Sequence, residues 1–441
     1  MLLECKNKPF SGGVQAEYQN KLVGVEEAVK HIRPHTQVVL STGPAEPYGL
    51  IEALFRRRKD LQGVTIHHNL PMRPYSYLQE KTAPHIQVNA WFSSRHSRKG
   101  INEGWCDYTP NHFHELPYFL SEHIQPDVFL AAVSPMDEEG YFSFGTAVTY
   151  NYEVIEKARL VIVEENQHMP FTFGRTRIHI SEVNYVVKNN CLLPEISFGK
   201  SSPEAEVIGG LVAEQIPDGA TLQLGIGDIP NSVVKHLLSK KDLGIHAEMI
   251  SDNIVELVEK GVVNNRYKPL NPGKVVASVA LGTKKIYDFI HRNPMVELHP
   301  ASYTNNPVVI SHNPNLMAIN ATLEIDLFGQ CASESIGYNY YSGTGGQVDF
   351  CRGAMHSRGG KSILVLPSTY NRGSGSRIVP CLKPGSIVSV TKNDTDYVVT
   401  EYGVAHLRGK SLRQRALALI NIAHPDFRNE LKREAQKMAL I

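Results

Sequence analysis

The sequence has no charge excess, no paired cysteines and no long apolar run. Lys+Arg is 45 against Asp+Glu 44, so no global field marks the chain for nucleic acid or for an anionic membrane surface. The six cysteines are Cys5, Cys106, Cys191, Cys331, Cys351 and Cys381. They form no Cys-x-x-Cys pair and fit no common zinc spacing. Cysteines scattered singly through a large chain read as reduced thiols. No stretch approaches the ~20 apolar residues of a spanning helix, and the opening "MLLECKNKPF" lacks the apolar core of a secretory signal. A cytoplasmic location is expected. Low-complexity tracts and short-period repeats are also missing, as are a Gly-x-Ser-x-Gly elbow and a His-Glu-x-x-His motif. What remains is a globular chain, and 42% apolar with 20% charged residues is ordinary for one.

At 441 residues the chain is longer than one hydrophobic core usually serves, so two domains are expected. Short apolar strands alternate with amphipathic stretches. "TQVVLST" reads as a strand and "PYGLIEALFRRRKDL" as the helix after it, with "VTIHHN" as the next strand. "PDVFLAAVS" and "ARLVIVEEN" have the near-continuous apolar runs of buried strands. The alternation predicts an α/β fold with a largely parallel sheet. The pattern restarts after the loop "GKSSP", with a helix from about Pro203. This places the boundary near residue 200, between an N-terminal domain of residues 1–200 and a C-terminal domain of residues 201–441. Later strands are expected at "TLQLGIG", "DLGIHAEM", "KVVASVALG", "MVELHP", "LMAINATLEIDLFGQ", "SILVLPS", "SIVSVT" and "DYVVTEYG". A helical C-terminus is expected to break at Pro425. Both halves open in the order helix, turn, strand, loop, helix, which suggests two related domains.

Three stretches can carry chemistry. In "QLGIGDIPNSVVKHL", Gly225 and Gly227 lie between a strand and a helix. Small residues there let backbone amides approach a ligand, and the helix N-terminus favours negative charge. The stretch lacks the third glycine of a dinucleotide fingerprint and the lysine of a phosphate loop, so a tight strand–helix turn is the plain alternative. In "SGTGGQVDFCRGA", Gly343, Gly345 and Gly346 cluster ahead of apolar residues. Their amides can donate to an oxyanion or to the amides of a long cofactor. In "DLGIHAEMISDNIVELVEKG", Glu248 stands at the end of an apolar strand. A carboxylate at that end of an open α/β sheet can act as a nucleophile, or it can be a solvated strand tip. His246, on the same strand face, reads as structural rather than as a base. His112 and His114 suit metal spacing poorly, and no metal is expected. Arg95, Arg98 and Lys99 read as solvated charges rather than a phosphate site.

Taken in order, "LQLGIGDIPNSV", "LGIHAEMISD", "INATLEIDLFGQ" and "SGTGGQVDF" resemble the acetyl-CoA hydrolase/transferase family, within it the 4-hydroxybutyrate, butyrate and itaconate CoA-transferases. "GWCDYTPNHFHELP", "VSPMDEEGYFSFG", "KNDTDYVVTEYGVAHLRGKS" and "RALALINIAHPDF" extend the resemblance over nearly the whole chain. It implies two open α/β domains of the CoA-transferase type with mostly parallel sheets. It implies ping-pong exchange of coenzyme A between a short-chain acyl-CoA and a free carboxylate, through a glutamyl–CoA thioester on Glu248. By the same resemblance Gly346 would be an oxyanion donor. Gln223, Leu224, Gly225, Ile226 and Gly227, with Gly343 and Gly345, would line the CoA thioester, and Asn320 would contact the pantetheine. The loop "STGPAEPYG" would shape the acid pocket. The candidate acids are 4-hydroxybutyrate, butyrate, acetate, succinate and itaconate. An acyl-CoA hydrolase using the same Glu, and a non-catalytic acyl-CoA or sugar-phosphate sensor, are the alternatives. Partners are expected to be small molecules, with no nucleic acid and no membrane, and a homo-oligomer is expected from size alone.

Overall fold

A computed structural model describes residues 12–197, 199, 201–371 and 373–441. Cys5 and the opening "MLLECKNKPF" lie outside the described residues. The chain divides into two compact units. Up to Ile196 the described residues belong to the first, together with Ala277–Tyr303; Ser197–Val276 and Thr304–Ile441 make the second. The partition crosses between Ile196 and Ser197 and returns Ala277–Tyr303 to the first unit.

The first unit is built on a seven-stranded sheet. Its strands are β1 (Gln37–Leu40), β2 (Val64–His68), β3 (Ile86–Ala90), β4 (Asp107–Tyr108), β5 (Val128–Val133), β6 (Leu160–Glu165) and β7 (Tyr185–Lys188). Every pairing is parallel, in the order β7-β6-β5-β1-β2-β3-β4. Parallel strands buried on both faces are near-continuously apolar, and all six residues of β5 are buried. Helix α1 (Tyr48–Arg56) follows β1 because Leu50, Ile51, Leu54 and Phe55 recur at helical spacing and bury one stripe. The stripe packs on Val38, Leu40, Ile66 and Leu130 of the sheet, and each such fully buried side chain contributes roughly 1.5–3 kcal/mol. The Glu164 carboxylate accepts the Leu50 N–H at 2.8 Å and so satisfies one of the helix's open donors.

The second unit repeats the scheme. Helix α2 (Pro203–Glu214) starts where Ser202 accepts the Ala205 N–H at 3.2 Å, with Pro203 as its first residue. It leads into β8 (Thr221–Leu224) and helix α3 (Asp228–His236); β9 (Gly244–Ile245) and helix α4 (Asp252–Glu259) follow. Further on come β10 (Leu316–Ala321), helix α5 not being part of this sheet but preceding it at Pro307–Ser311, then helix α6 (Gln347–His356), β11 (Lys361–Val365), β12 (Tyr397–Thr400) and β13 (Gly403–His406). The sheet order is β9-β8-β10-β11-β12-β13, parallel except for the last pair. Helices α7 (Leu412–Ile422) and α8 (Pro425–Lys437) end the chain, broken at Pro425 as its ring requires. Both sheets are the mostly parallel α/β type that the alternation predicts.

Local expectations differ from the structure at several points: "KVVASVALG" is split into Val275–Ala277 and Val279–Ala280, and "LMAINATLEIDLFGQ" into Leu316–Ala321 and Glu324–Asp326. "SIVSVT" forms no strand; only Val390 bridges Cys331, while Ile387 and Val388 stay exposed. Its amides find scattered partners instead of a ladder: the Ser386 N–H goes to the Lys383 carbonyl, the Ile387 N–H to Ser335 Oγ at 2.8 Å, and the Ser389 and Val390 N–H groups to the Cys331 carbonyl. The strand of "DLGIHAEM" also stops after Gly244–Ile245, so Glu248 stands between β9 and the two-residue strand Met249–Ile250. Among the described residues, no helix is long and apolar enough to cross a membrane.

Candidate active site

The strands of a parallel sheet end along a common edge, and that edge is where open α/β sheets bind ligands. In the second unit β8, β9 and β10 pair parallel, with Leu222 opposite Ile245 and Leu224 opposite Ile319. The turn Gly225–Gly227 and the segment His246–Glu248 therefore leave the sheet on one side, the side on which Asn320 lies near the end of β10. Helix α6 precedes β11 in the chain and packs on it, so its first turn, beginning after Gly346, lies at that side as well.

Asn305 Nδ2 donates to Glu248 Oε2 at 2.7 Å. The Gly346 backbone N–H also faces the carboxylate. Gly346 stands one residue ahead of α6 with φ −91° and ψ 7°. A Cβ there would lie 2.0 Å from Glu248 Oε2 and 2.2 Å from Asn305 Nδ2. Only glycine lets the backbone come this close. Glu248 as a residue is half-buried, but protein atoms surround its carboxyl group. Desolvation pushes its pKa up from 4.5 to about 7; the nearby Asp349 charge adds to the rise, and the Asn305 and Gly346 donors oppose it. Near neutral pH the group is divided between acid and carboxylate, a condition common to groups that do chemistry.

Asn305 is fully buried, and its amide orientation is fixed from both ends. Thr304 Oγ1 donates to its Oδ1 at 2.9 Å, which leaves Nδ2 for the carboxylate. The Thr304 carbonyl meets His246 Nε2 at 2.9 Å, so that nitrogen carries the proton. His246 is fully buried and braces the segment that carries Asn305. Gln223 and Asn320 form a second set, a reciprocal amide pair at 3.2 and 3.0 Å across β8 and β10. Beyond it, the Gly225 N–H donates to the Ile319 carbonyl at 3.2 Å and Leu224 is buried. Ile226 is half-buried. Gly227 has φ +124°, a conformation that favours glycine, and precedes α3. The residues after Glu248 tie back to that turn's helix: Ser251 Oγ donates to Asn253 Oδ1 at 2.8 Å, and Asn253 Nδ2 to Asn231 Oδ1 at 3.1 Å. Gly343 is buried, and Gly345 takes φ +52° just before Gly346. The expected residues thus gather as Glu248 with Gly346, and Gln223 with Asn320.

Asn305 and Asp349 were not expected. Asn305 lies 57 residues beyond Glu248 in sequence, in "YTNNP", which reads only as a helix start: Asn306 Oδ1 accepts the Val308 N–H at 2.9 Å ahead of Pro307. Asp349, fully buried in the first turn of α6, sits inside the glycine stretch "SGTGGQVDF". A polar pair of asparagines before a proline was the visible sign of the first, and nothing in the spacing marked the second.

The raised pKa has a consequence for stability. A carboxyl group whose folded pKa lies above its unfolded value binds more protons folded than unfolded between those values. Stability therefore falls as pH rises from about 4.5 to about 7, and the penalty is complete above that range. Glu248→Gln cannot ionise and escapes it. Its thermal midpoint, relative to the natural protein, is expected to be higher at pH 8 than at pH 5. Scanning calorimetry at the two pH values checks this; a constant offset would contradict it.

Two open α/β units, one holding a desolvated carboxylate against two N–H donors, fit an enzyme better than a passive binding protein. The chain belongs to the acetyl-CoA hydrolase/transferase family: models of its N-terminal and C-terminal domains match residues 4–195 and 282–435. The chain is 48% identical to succinyl-CoA:cyclohexane-1-carboxylate CoA transferase of Geobacter metallireducens, over 96% of this chain and 97% of that one. It is 48% identical to 4-hydroxybutyrate coenzyme A transferase of Clostridium kluyveri, over 95% and 98%. The crystal structure of RipA from Yersinia pestis superposes with a TM-score of 0.93 at 38% identity, covering 97% of this chain and all of that one. The protein is an enzyme of the CoA-transferase type.

Proposed function

We propose that the protein moves coenzyme A between a short-chain acyl-CoA and a free carboxylate, with Glu248 as the covalent nucleophile. The observation that carries this is the 2.7 Å hydrogen bond from Asn305 to a Glu248 carboxylate that also faces the Gly346 amide. The Glu248 carboxylate attacks the thioester carbonyl, and the C–S bond breaks to give a mixed anhydride and CoA thiolate. The thiolate attacks the glutamyl carbonyl and expels the first acid as its carboxylate, leaving a glutamyl–CoA thioester. A second carboxylate attacks that glutamyl carbonyl and releases the thiolate, which then attacks the incoming acyl carbonyl and frees Glu248. Every step exchanges one anion for another, so no proton donor is needed. Anhydride and thioester are both activated acyl groups, and the reaction needs no ATP.

Each attack passes through an oxyanion, and fixed N–H donors stabilise such a charge without reorganising. For the attacks on the glutamyl carbonyl, Asn305 Nδ2, 2.7 Å from Glu248 Oε2, and the Gly346 amide facing the same carboxylate are the donors at hand. Gln223–Gly227, Asn320, Gly343 and Gly345 are assigned to the thioester and pantetheine side, on the support of their shared sheet edge and of the family resemblance. Candidate acids remain 4-hydroxybutyrate, butyrate, acetate, succinate and itaconate. The free thiols of Cys106, Cys191, Cys331, Cys351 and Cys381 support a reducing, cytoplasmic setting.

Incubation with butyryl-CoA, followed by peptide mass mapping, is expected to find CoA bound through a thioester to the peptide containing Glu248. Added acetate is expected to yield acetyl-CoA. Release of free CoA at the same rate with and without acetate would favour hydrolysis. Absence of the adduct together with full activity of Glu248→Ala would overturn the mechanism.

A further inference from the structure

We infer that Lys268 and Asn265 are positioning residues for Glu248: they clamp the peptide at Ile245 and so set the path of the chain into the carboxylate. The inference rests on the reading of Glu248 as nucleophile and adds the device that aims it.

β9 is the edge strand of its sheet and is two residues long. From Leu243 to Ala247 the backbone bonds alternately inward and outward. Gly244 N–H and His246 N–H go inward to the Ala220 and Leu222 carbonyls at 2.9 and 3.1 Å. Leu243 N–H and Ala247 N–H go outward to the Val262 and Val276 carbonyls at 2.9 and 3.0 Å. Between those outward bonds, both backbone groups of Ile245 are met by side chains. Its N–H donates to Asn265 Oδ1 at 2.8 Å, and its carbonyl accepts from Lys268 Nζ at 2.6 Å. The same ammonium donates to the Lys274 carbonyl at 2.7 Å. One charged group therefore joins the chain leaving β9 to the chain entering the strand at Val275.

Both side chains are built into place. Lys268 is 2% exposed, and its stem lies on Gly244, where a Cβ would fall 2.7 Å from Lys268 Cγ and Cδ. Asn265 is fully buried at φ +60°, a region that asparagine tolerates better than most residues. Burying an ammonium is costly unless its hydrogens are bonded, and an apolar residue would fill the space more cheaply. What the ammonium supplies is direction: it fixes two carbonyls at set distances. Glu248 follows Ile245 by three residues, and its Oε2 must meet Asn305 Nδ2 at 2.7 Å. A rotation of the Ile245 peptide is passed straight to that contact, and a misplacement of about 1 Å at a reacting group costs about 100-fold in rate.

Lys268→Met keeps the stem and removes the ammonium. It is expected to lower kcat by about 10- to 100-fold and to slow formation of the glutamyl–CoA adduct to the same degree. The KM for acyl-CoA is expected to stay within about threefold. Asn265→Ala is expected to behave alike, whereas Asn265→Asp, which keeps an acceptor for the Ile245 amide, should recover most of the rate. Rates are taken per folded molecule, with folding followed by circular dichroism; should Lys268→Met not fold, the Asn265 pair decides. Unchanged kcat in folded Lys268→Met and Asn265→Ala, or equal losses in Asn265→Ala and Asn265→Asp, would overturn the clamp. Full activity of Glu248→Ala would instead overturn the nucleophile reading beneath it.

Discussion

Glu248→Ala is expected to lower CoA transfer by at least about 10,000-fold, because the covalent route is removed altogether. Glu248→Gln should be equally poor at first, since a carboxamide is too weak a nucleophile to open a thioester. It differs from Ala in one respect: slow deamidation regenerates the acid, so activity should return with incubation in Gln and never in Ala. The natural enzyme should itself report the group through pH. The attacking form is the ionised carboxylate, whose pKa is pushed to about 7. Below that value kcat/KM should fall about tenfold per pH unit, as the reactive fraction shrinks. The acid limb therefore belongs near neutrality, well above the usual carboxylate range. A limb near 4.5 would mean that substrate-free Glu248 is better solvated than its surroundings indicate. Retention of activity in Glu248→Ala would remove the nucleophile outright.

The alternation of apolar strands with amphipathic stretches makes the two-part α/β architecture legible in the sequence. Strands such as Val128–Val133 and Leu160–Glu165 are visible because burial on both faces forces a continuous apolar run. Gly227 was legible for a related reason: a turn that needs positive φ selects its own residue. The immediate surroundings of Glu248 were not legible. Spacing shows a carboxylate near a strand end, but its desolvation, its Asn305 donor and the Asp349 charge come from segments distant in sequence. Tertiary contacts of that kind leave no local periodicity. "SIVSVT" failed for the opposite reason. Its composition favours a strand, but strand propensity mostly measures fit to a neighbouring surface, and here Ser335 Oγ, not a strand, takes the Ile387 amide.

Gly346→Ala separates the catalytic demand on a glycine from the structural one. At φ −91° and ψ 7° the backbone accepts alanine without strain. The helix-cap effect of exchanging Gly for Ala before α6 is itself only about 1 kcal/mol. The obstacle is the reaction centre itself: the new methyl would stand 2.0 Å from Glu248 Oε2 and 2.2 Å from Asn305 Nδ2. Both atoms have to give way, and that breaks the 2.7 Å hydrogen bond that aims the carboxylate. Transfer is expected to fall by at least about 100-fold, with adduct formation slowed to match. Gly227→Ala is the contrasting variant. Its Cβ would meet nothing within 4 Å, but φ +124° is a conformation that alanine rarely adopts. Strain of this kind costs roughly 1–3 kcal/mol, so Gly227→Ala should lose melting temperature first. Gly346→Ala has no backbone strain and should lose stability only through overpacking, by about 1–3 kcal/mol, but it should fail at the chemistry. Thermal melts and single-turnover adduct rates, measured side by side on the two variants, distinguish the roles; a Gly346→Ala enzyme that forms the adduct at the natural rate would show that the Gly346 contact does not hold Glu248 for reaction.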